Sequence, residues 1–448
     1  MLPTVGRLLR ACRGPCINPF LEFGGKAFIS SAMPPHLEPG KASTLADEAR
    51  LPPHANYTES PTTFYAQQAL ECADINPGIQ KAIIHPDGEL TVALPVPNAQ
   101  GEIELFNAHL VMHNNARGPF LGGLMYHPDV TLDALRSLAA LNTWKFALFD
   151  LPLGGAKMGV PCDPRGMEIR MQEKLTRKLT SAMGPCLGPT LCIPSADIGT
   201  DERHMAFIFD QFAKQKGFSP GVVTGKPLSL HGSYGRDSAG GRGACIAARM
   251  FLKAYLKKPL PGTTVTIQGF GKIGAWTAQL LQEAGAKVIG VSSAETAVYN
   301  ENGLDIKALR EHVSQGRYLA EFPEGTAIAG TVNADNVHRL QSRMVLEASN
   351  GGITVEANKV LADKGVPVCP DLFSAGGAGI VSFFEWTQNL QQMRWDEDEI
   401  LRMQERTMEQ AFESMRRYHD QGGLSWRTSA YMVALQRLAA ADAQRGHD

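Results

Sequence analysis

A lysine closing a glycine turn, Gly154-Gly155-Ala156-Lys157, and an aspartate opening a second loop, Pro194-Ser195-Ala196-Asp197-Ile198-Gly199-Thr200, stand forty residues apart in the chain. A lysine can polarise a carbonyl and stabilise the charge that develops there, and an aspartate can carry protons to and from the same centre. Together they suit the carbonyl chemistry that interconverts an amino acid and its 2-oxo acid. Farther on, Gly269-Phe270-Gly271-Lys272-Ile273-Gly274 has the spacing of a dinucleotide fingerprint. It follows the β-branched run Val265-Thr266-Ile267 and opens a segment with Trp276, Leu280 and Leu281 at helical spacing, the context which that motif requires. In such a turn the first glycine permits the sharp bend, the second lets backbone approach a pyrophosphate, and the third lets helix pack on strand. The helix N-terminus then offers amides and a positive dipole end to the phosphates.

These groups need a scaffold, and 448 residues supply two or three domains. Hydrophobic content of 44% and charged content of 20% describe a soluble globular chain. A net charge of -2 argues against a nucleic-acid surface, and no apolar run reaches the length of a membrane span. The eight cysteines are scattered without a C-x-x-C pair, so neither a metal site nor a disulfide framework is expected, and the pattern fits a reducing compartment. Residues 1–35 carry Arg7, Arg10, Arg13 and Lys26 against the single acid Glu22, with Leu2, Val5, Leu8, Leu9 and Cys12 able to share a helical face. That composition predicts an organellar transit peptide and a mitochondrial matrix location. A Pro/His-rich linker follows, and the two together span 1–61.

Strands are expected over 89–94 and 102–112. A helix should start at Thr131 and run through Leu135, Leu138, Leu141 and Leu148, with Lys145 near its C-terminal end. Strand 265–268, helix 275–284 and strand 287–291 make a βαβ unit of the doubly wound kind. The tail after Phe383 reads as charged helix.

The first half also contains Gly118-Pro119, Gly122-Gly123, His127-Pro128, Thr143-Trp144-Lys145 and Asp150-Leu151-Pro152-Leu153 before the glycine turn. Thr224-Gly225-Lys226-Pro227-Leu228-Ser229-Leu230, Gly235-Arg236 and Phe384-Glu385-Trp386-Thr387-Gln388-Asn389 come later. In this order the motifs resemble the glutamate/leucine/phenylalanine/valine dehydrogenase family, most closely its glutamate branch, from about Thr62 to the end. The resemblance implies a two-domain α/β fold. A substrate and oligomerisation domain would span 62–225 and a Rossmann dinucleotide-binding domain 226–382. C-terminal helices, 383–448, would return to the first domain. It implies reversible NAD- or NADP-dependent oxidative deamination of an L-amino acid to its 2-oxo acid and ammonium, by a homo-oligomer that is a hexamer in the glutamate branch. Lys145 would bind the substrate α-carboxylate, Lys157 would be the catalytic lysine, and Asp197 the general acid/base. Leu121, Gly122, Gly123 and Ser382 would line the substrate side. The fingerprint residues with Ser293, Arg236, Gly241 and Asn350 would line the cofactor side.

Several positions depart from the pattern. Leu121 stands where the glutamate branch carries the lysine that grips the side-chain carboxylate. Leucine and phenylalanine dehydrogenases also have leucine there, so Leu121 points to an apolar side chain, while Ser382, retained, points to glutamate. A charge partner outweighs a hydroxyl, which favours the apolar reading. Ser293 falls where a carboxylate would select NAD. NADP therefore stays open, with Lys272 or Lys287 as phosphate partners, and Glu295 could restore NAD. Gly241 replaces a nicotinamide-contacting threonine, the segment 328–333 is shortened, and Ser374 replaces an asparagine. Two functions fit: a working amino-acid dehydrogenase, or a catalytically inactive paralogue acting as a structural or regulatory subunit.

Overall fold

The computed structural model describes residues 60–293, 296–322, 326–328 and 337–446. The arginine-bearing start, the linker to residue 59, Glu295 and the shortened stretch 329–333 lie outside them.

Two short helices open the fold, α1 (Pro61–Glu71) and α2 (Pro77–Ile84), each with proline at its first position and a polar cap, Ser60 or Asn76, which satisfies a first-turn amide. The expected strands form as a hairpin, β1 (Gly88–Pro97) and β2 (Ile103–Asn114). With β3 (Phe120–Tyr126), β4 (Gly154–Val160) and β5 (Cys192–Ala196) they make one sheet of order β1-β2-β4-β3-β5, in which β3 runs parallel to both neighbours. Helix α3 (Leu132–Leu148) begins as expected, with the Thr131 hydroxyl accepting from Ala134 N. It is buried on nearly every side because it lies between this sheet and the C-terminal helices. Helices α4 (Ile169–Met183) and α5 (Glu202–Lys216) cover the opposite face.

The second unit starts with α6 (Ala239–Phe251) and the βαβ element β6 (Thr264–Gln268), α7 (Lys272–Glu283) and β7 (Lys287–Ser292). Helix α7 starts a turn earlier than its apolar spacing suggests, because Lys272, Ile273 and Gly274 are already helical. Strands β6 and β7 are parallel, but β8 (Ala297–Tyr299) pairs antiparallel with β7, and β9 (Thr326–Ile328) antiparallel with β8. After α8 (Ile306–Ser314), β10 (Val345–Leu346) and β11 (Val368–Cys369) form a separate parallel pair around α9 (Val355–Asp363). The Rossmann-like sheet is thus divided: among the described residues β6 carries no strand on its outer edge.

The chain closes with α10 (Asp371–Ser374), α11 (Gly377–Gln391), α12 (Glu397–Gly422) and α13 (Trp426–Gln444). As the resemblance implies, α13 comes back to the first unit. Arg437 donates to the Ala147 and Leu148 carbonyls at the end of α3, at 2.9 and 2.7 Å, satisfying groups which that helix leaves open. Tyr431 packs on Trp144, with ring centroids 5.5 Å apart.

Candidate active site

Lys157 lies in β4 and Asp197 just past the end of β5, on either side of β3. Gly123 of β3 makes the gap: a Cβ there would stand 1.8 Å from Asp197 Oδ2, so no larger residue would let the carboxylate lie against the strand. The Asp197 turn is fixed from within. Asp197 N donates to Thr200 Oγ1 at 2.9 Å, the Thr200 hydroxyl donates to the Leu124 carbonyl at 2.8 Å, and Ile198 N donates to Asp197 Oδ1 at 2.8 Å. That leaves Oδ2 to the buried lysine, whose Nζ meets it at 2.5 Å. The two groups singled out as chemical partners therefore form an ion pair.

Helix α3 sets the strand that carries Lys157. Asn142 Nδ2 donates to the Ala156 carbonyl at 2.9 Å, and Gly155 N donates to Thr143 Oγ1 at 3.1 Å. Thr143 meets His113 Nδ1 at 3.0 Å, while His113 Nε2 faces the Ile84 carbonyl at 3.2 Å. A carbonyl only accepts, so Nε2 bears the proton, and burial, which lowers His113 to about 4, keeps the ring neutral. Nδ1 then accepts from the threonine. One turn of α3 thus positions β4 and also presents Lys145. Lys145 is 6% exposed, and its ammonium donates to Asn350 Oδ1 from the second unit. Burial lowers Lys145 to about 8, partly offset by Asp371.

The fingerprint turn has the geometry its glycines predict. Gly269 sits at φ +88°, in the left-handed region, with its N–H on the Ser292 carbonyl at 2.8 Å. A Cβ on Gly271 would meet open space, whereas one on Gly274 would stand 1.8 Å from the Gly269 carbonyl oxygen. The N-cap of α7 is Gly271, which has no side chain to cap the first turn. An open approach over a helix N-terminus that begins at a glycine fits a dinucleotide pyrophosphate. Phe270 points the other way, into the core with Val288 and Val291. Ile273 packs toward Gly240, where a Cβ would lie 3.1 Å from its Cγ1. Lys272 is exposed and bonds Asp237 at 2.6 Å.

Other expected residues are distributed differently. Lys287 opens β7, paired with Thr264, while the ligand end of that strand is Ser292. At about 3.3 Å per residue, Lys287 lies well away from the turn and is not brought to a phosphate there. The Ser293 hydroxyl is engaged in its own turn with Thr296. Arg236 donates to Ser195 Oγ at 3.0 Å, beside the Asp197 loop rather than on the fingerprint turn. Gly241 has a packing reason: a Cβ there would lie 2.4 Å from Trp276 Cβ and 2.7 Å from Thr277 N, so in this arrangement no threonine fits between α6 and α7. Leu121 and Ser382 are buried, and a Cβ on Gly122 would lie 1.8 Å from the Ala156 carbonyl oxygen. One cleft of 2640 Å³ joins Lys145, Lys157, Asp197, Leu121, Ser382 and the fingerprint turn.

Sequence reasoning missed the groups behind Asn350, namely Glu347, Asp371 and Arg427. Each is ordinary as a lone charged residue, and only their common burial marks them.

The family model described as Glu/Leu/Phe/Val dehydrogenase, dimerisation domain, matches residues 86–214. The model described as Glutamate/Leucine/Phenylalanine/Valine dehydrogenase matches 232–330 and 325–446. Glutamate dehydrogenase A2 of Halobacterium salinarum is 38% identical over 400 residues, covering 85% of this chain and 96% of its own. The crystal structure of hetero-hexameric glutamate dehydrogenase from Thermus thermophilus, in a Leu-bound form, is 33% identical, covers 89% and 99% of the two chains and superposes with a TM-score of 0.83. Glutamate dehydrogenase from Peptoniphilus asaccharolyticus is 28% identical over 86% and 99%, with a TM-score of 0.75.

Proposed function

The chain belongs to the Glu/Leu/Phe/Val dehydrogenase family, and from that premise we propose that its substrate is an amino acid with an uncharged, apolar side chain. It is an oxidoreductase, an amino-acid dehydrogenase using NAD or NADP. The observation that carries this reading is the Lys157–Asp197 pair at 2.5 Å in a cleft whose other wall is the fingerprint turn. The turn 269–274 and the start of α7 would hold the pyrophosphate of a bound NAD or NADP, whose nicotinamide would supply the hydride chemistry. Lys145 holds the α-carboxylate. Lys157 activates the carbonyl or a water, and Asp197 carries protons through the carbinolamine and imine stages. Closure of the cleft excludes water from the imine. Of the clustered changes that favour an inactive subunit, the one at Gly241 has the packing cause given above.

On the side-chain end of the cleft stands Leu121, 3% exposed and packed in the core that includes Ile193 and Phe146. A carboxylate buried there would lack the partner that offsets its desolvation. Glutamate is the second reading, favoured by Ser382 in the same cleft and by the relatives' names. Reductive amination with ammonium, NADH or NADPH and a panel of 2-oxo acids separates the two. Apolar oxo acids are expected to exceed 2-oxoglutarate by about 10²-fold in kcat/KM, and Leu121→Lys to reverse the order. A preference for 2-oxoglutarate in the unaltered protein would overturn the apolar reading.

The Lys145 shift carries its own prediction. Below about pH 8 Lys145 is charged and binds the carboxylate; above it the charge is lost. KM for the oxo acid should therefore rise by up to tenfold per pH unit above pH 8, with kcat changing less. A flat KM between pH 7 and 10 (roughly two units of titration,) would remove Lys145 from carboxylate binding.

We also infer a homo-oligomer, hexameric as the resemblance implies. Edge strand β1 and the exposed Ile103 and Leu105 of the matched dimerisation region support a partner surface. The arginine-bearing start supports import into the mitochondrial matrix.

A further inference from the structure

Behind Asn350 lies a buried cluster with two carboxylates and one guanidinium. Glu347, Asp371 and Arg427 are 3%, 2% and 5% exposed. Arg427, in the first turn of α13, donates from Nη2 to Glu347 Oε2 at 2.7 Å and from Nη1 to Asp371 Oδ1 at 3.1 Å. The remaining oxygens hold the backbone next to Asn350. Gly351 N donates to Asp371 Oδ2 at 2.9 Å, and Ile353 N donates to Glu347 Oε1 at 2.7 Å. The Ser374 hydroxyl donates to the Glu347 carbonyl at the start of the same turn, and to the Pro370 carbonyl at 3.0 Å. The Tyr65 ring lies over the guanidinium, 4.6 Å from centroid to carbon. The turn 347–353 is therefore tied through both carboxylates to one side chain from the last helix, and it presents Asn350 to Lys145.

We propose that Arg427 is a positioning residue for substrate binding: by bridging Glu347 and Asp371 it fixes the turn that sets Asn350 against Lys145, and so sets how Lys145 meets the substrate carboxylate. This rests on the reading of Lys145 given above. Charge supports the geometry. Two carboxylates against one guanidinium leave negative charge behind a buried ammonium, and Asp371 and Glu347 both favour the charged form of Lys145, as does Asp197, against Lys157. Glu347 itself is pushed up by burial and by Asp371, against Arg427. Lysine in place of Arg427 keeps the charge but cannot make the planar two-carboxylate bridge.

The test uses the full chain with Arg427→Lys and Arg427→Met, each checked for folding by circular dichroism. In both, KM for the oxo acid is expected to rise about tenfold, as a displaced anion binder requires, with kcat within about threefold. In Arg427→Met the pH at which KM starts to climb should move upward, because Asp371, which favours the proton on Lys145, loses its guanidinium partner. Adding Asn350→Ala to Arg427→Lys should cost less than it does alone, since both act through one contact. Should Arg427→Lys not fold, the isosteric Asp371→Asn carries the same measurements.

A folded variant with unchanged KM and pH profile, or additive effects with Asn350→Ala, would overturn the proposal. Lys145→Met separates the two levels. If it leaves KM unchanged, the carboxylate reading fails and the proposal with it. If it raises KM while Arg427→Lys does not, the brace alone is wrong.

Discussion

Lys157→Ala should lower kcat by about 10⁴-fold, with the protein still folded and still binding reduced nicotinamide cofactor. The size follows from two losses at one position: the charge that stabilises the developing oxyanion and the proton partner of Asp197, each of which contributes about 10²–10³-fold or more in comparable sites. The geometry makes both losses complete. The Lys157 side chain is 4% exposed and its Nζ lies 2.5 Å from Asp197 Oδ2, so no nearby water shell replaces it at the same distance. Folding is expected to survive because the β4 backbone remains held by Asn142 and Thr143 from α3. Cofactor binding survives because the fingerprint turn is on another strand. Single-turnover rates, with cofactor affinity from fluorescence titration, separate these effects. A variant within tenfold of the parent (less than one step of a general acid–base contribution,) would mean that another group activates the carbonyl.

The second large effect is on stability, at Lys226 and Glu385. Both side chains are fully buried, and Lys226 Nζ meets Glu385 Oε1 at 2.7 Å. Glu385 also accepts from Gly225 N at 2.8 Å and Lys226 N at 3.3 Å, while the ammonium also donates to the Val223 carbonyl at 2.6 Å. The pair ties the strap after α5 to α11, the helix that carries Ser382. Breaking a buried pair from one side costs about 3–5 kcal/mol, because the remaining charge stays desolvated. Lys226→Met should fall at the low end of that range, since Glu385 keeps two amide donors. Glu385→Leu should fall at the high end, since the ammonium keeps one carbonyl and two backbone amides lose their acceptor. The double substitution should cost clearly less than the sum. Denaturant unfolding of the three variants checks this order. Additive costs would show that the two charges stabilise the fold independently.

Much of the site could be read from the chain because its signals are local. Gly269 needs a left-handed turn, Gly274 a close approach to the preceding carbonyl, and Thr131 caps the helix that ends near Lys145; each demand concerns a few consecutive residues and their own dihedrals. The strands 89–94 and 102–112 and the helix after Thr131 appeared within a few residues of their expected bounds for the same reason. Parallel order beyond β6 and β7 was less legible. The short strands β8 to β11 have too few residues for periodicity to say whether they run back antiparallel or leave the sheet.

By itself the sequence determined the family, the two chemical groups Lys157 and Asp197, and the conformation of the dinucleotide turn, because residue type and spacing specify them directly. Only the tertiary structure decided that Arg236 faces Ser195 and that Gly241 is a packing residue. It alone decided that Arg427 reaches Asp371 and Glu347, 56 and 80 positions away. The physical reason is common to all three. Which faces meet, and which charges lose their water when they do, depends on surfaces contributed by distant segments, and no short stretch of sequence carries that information.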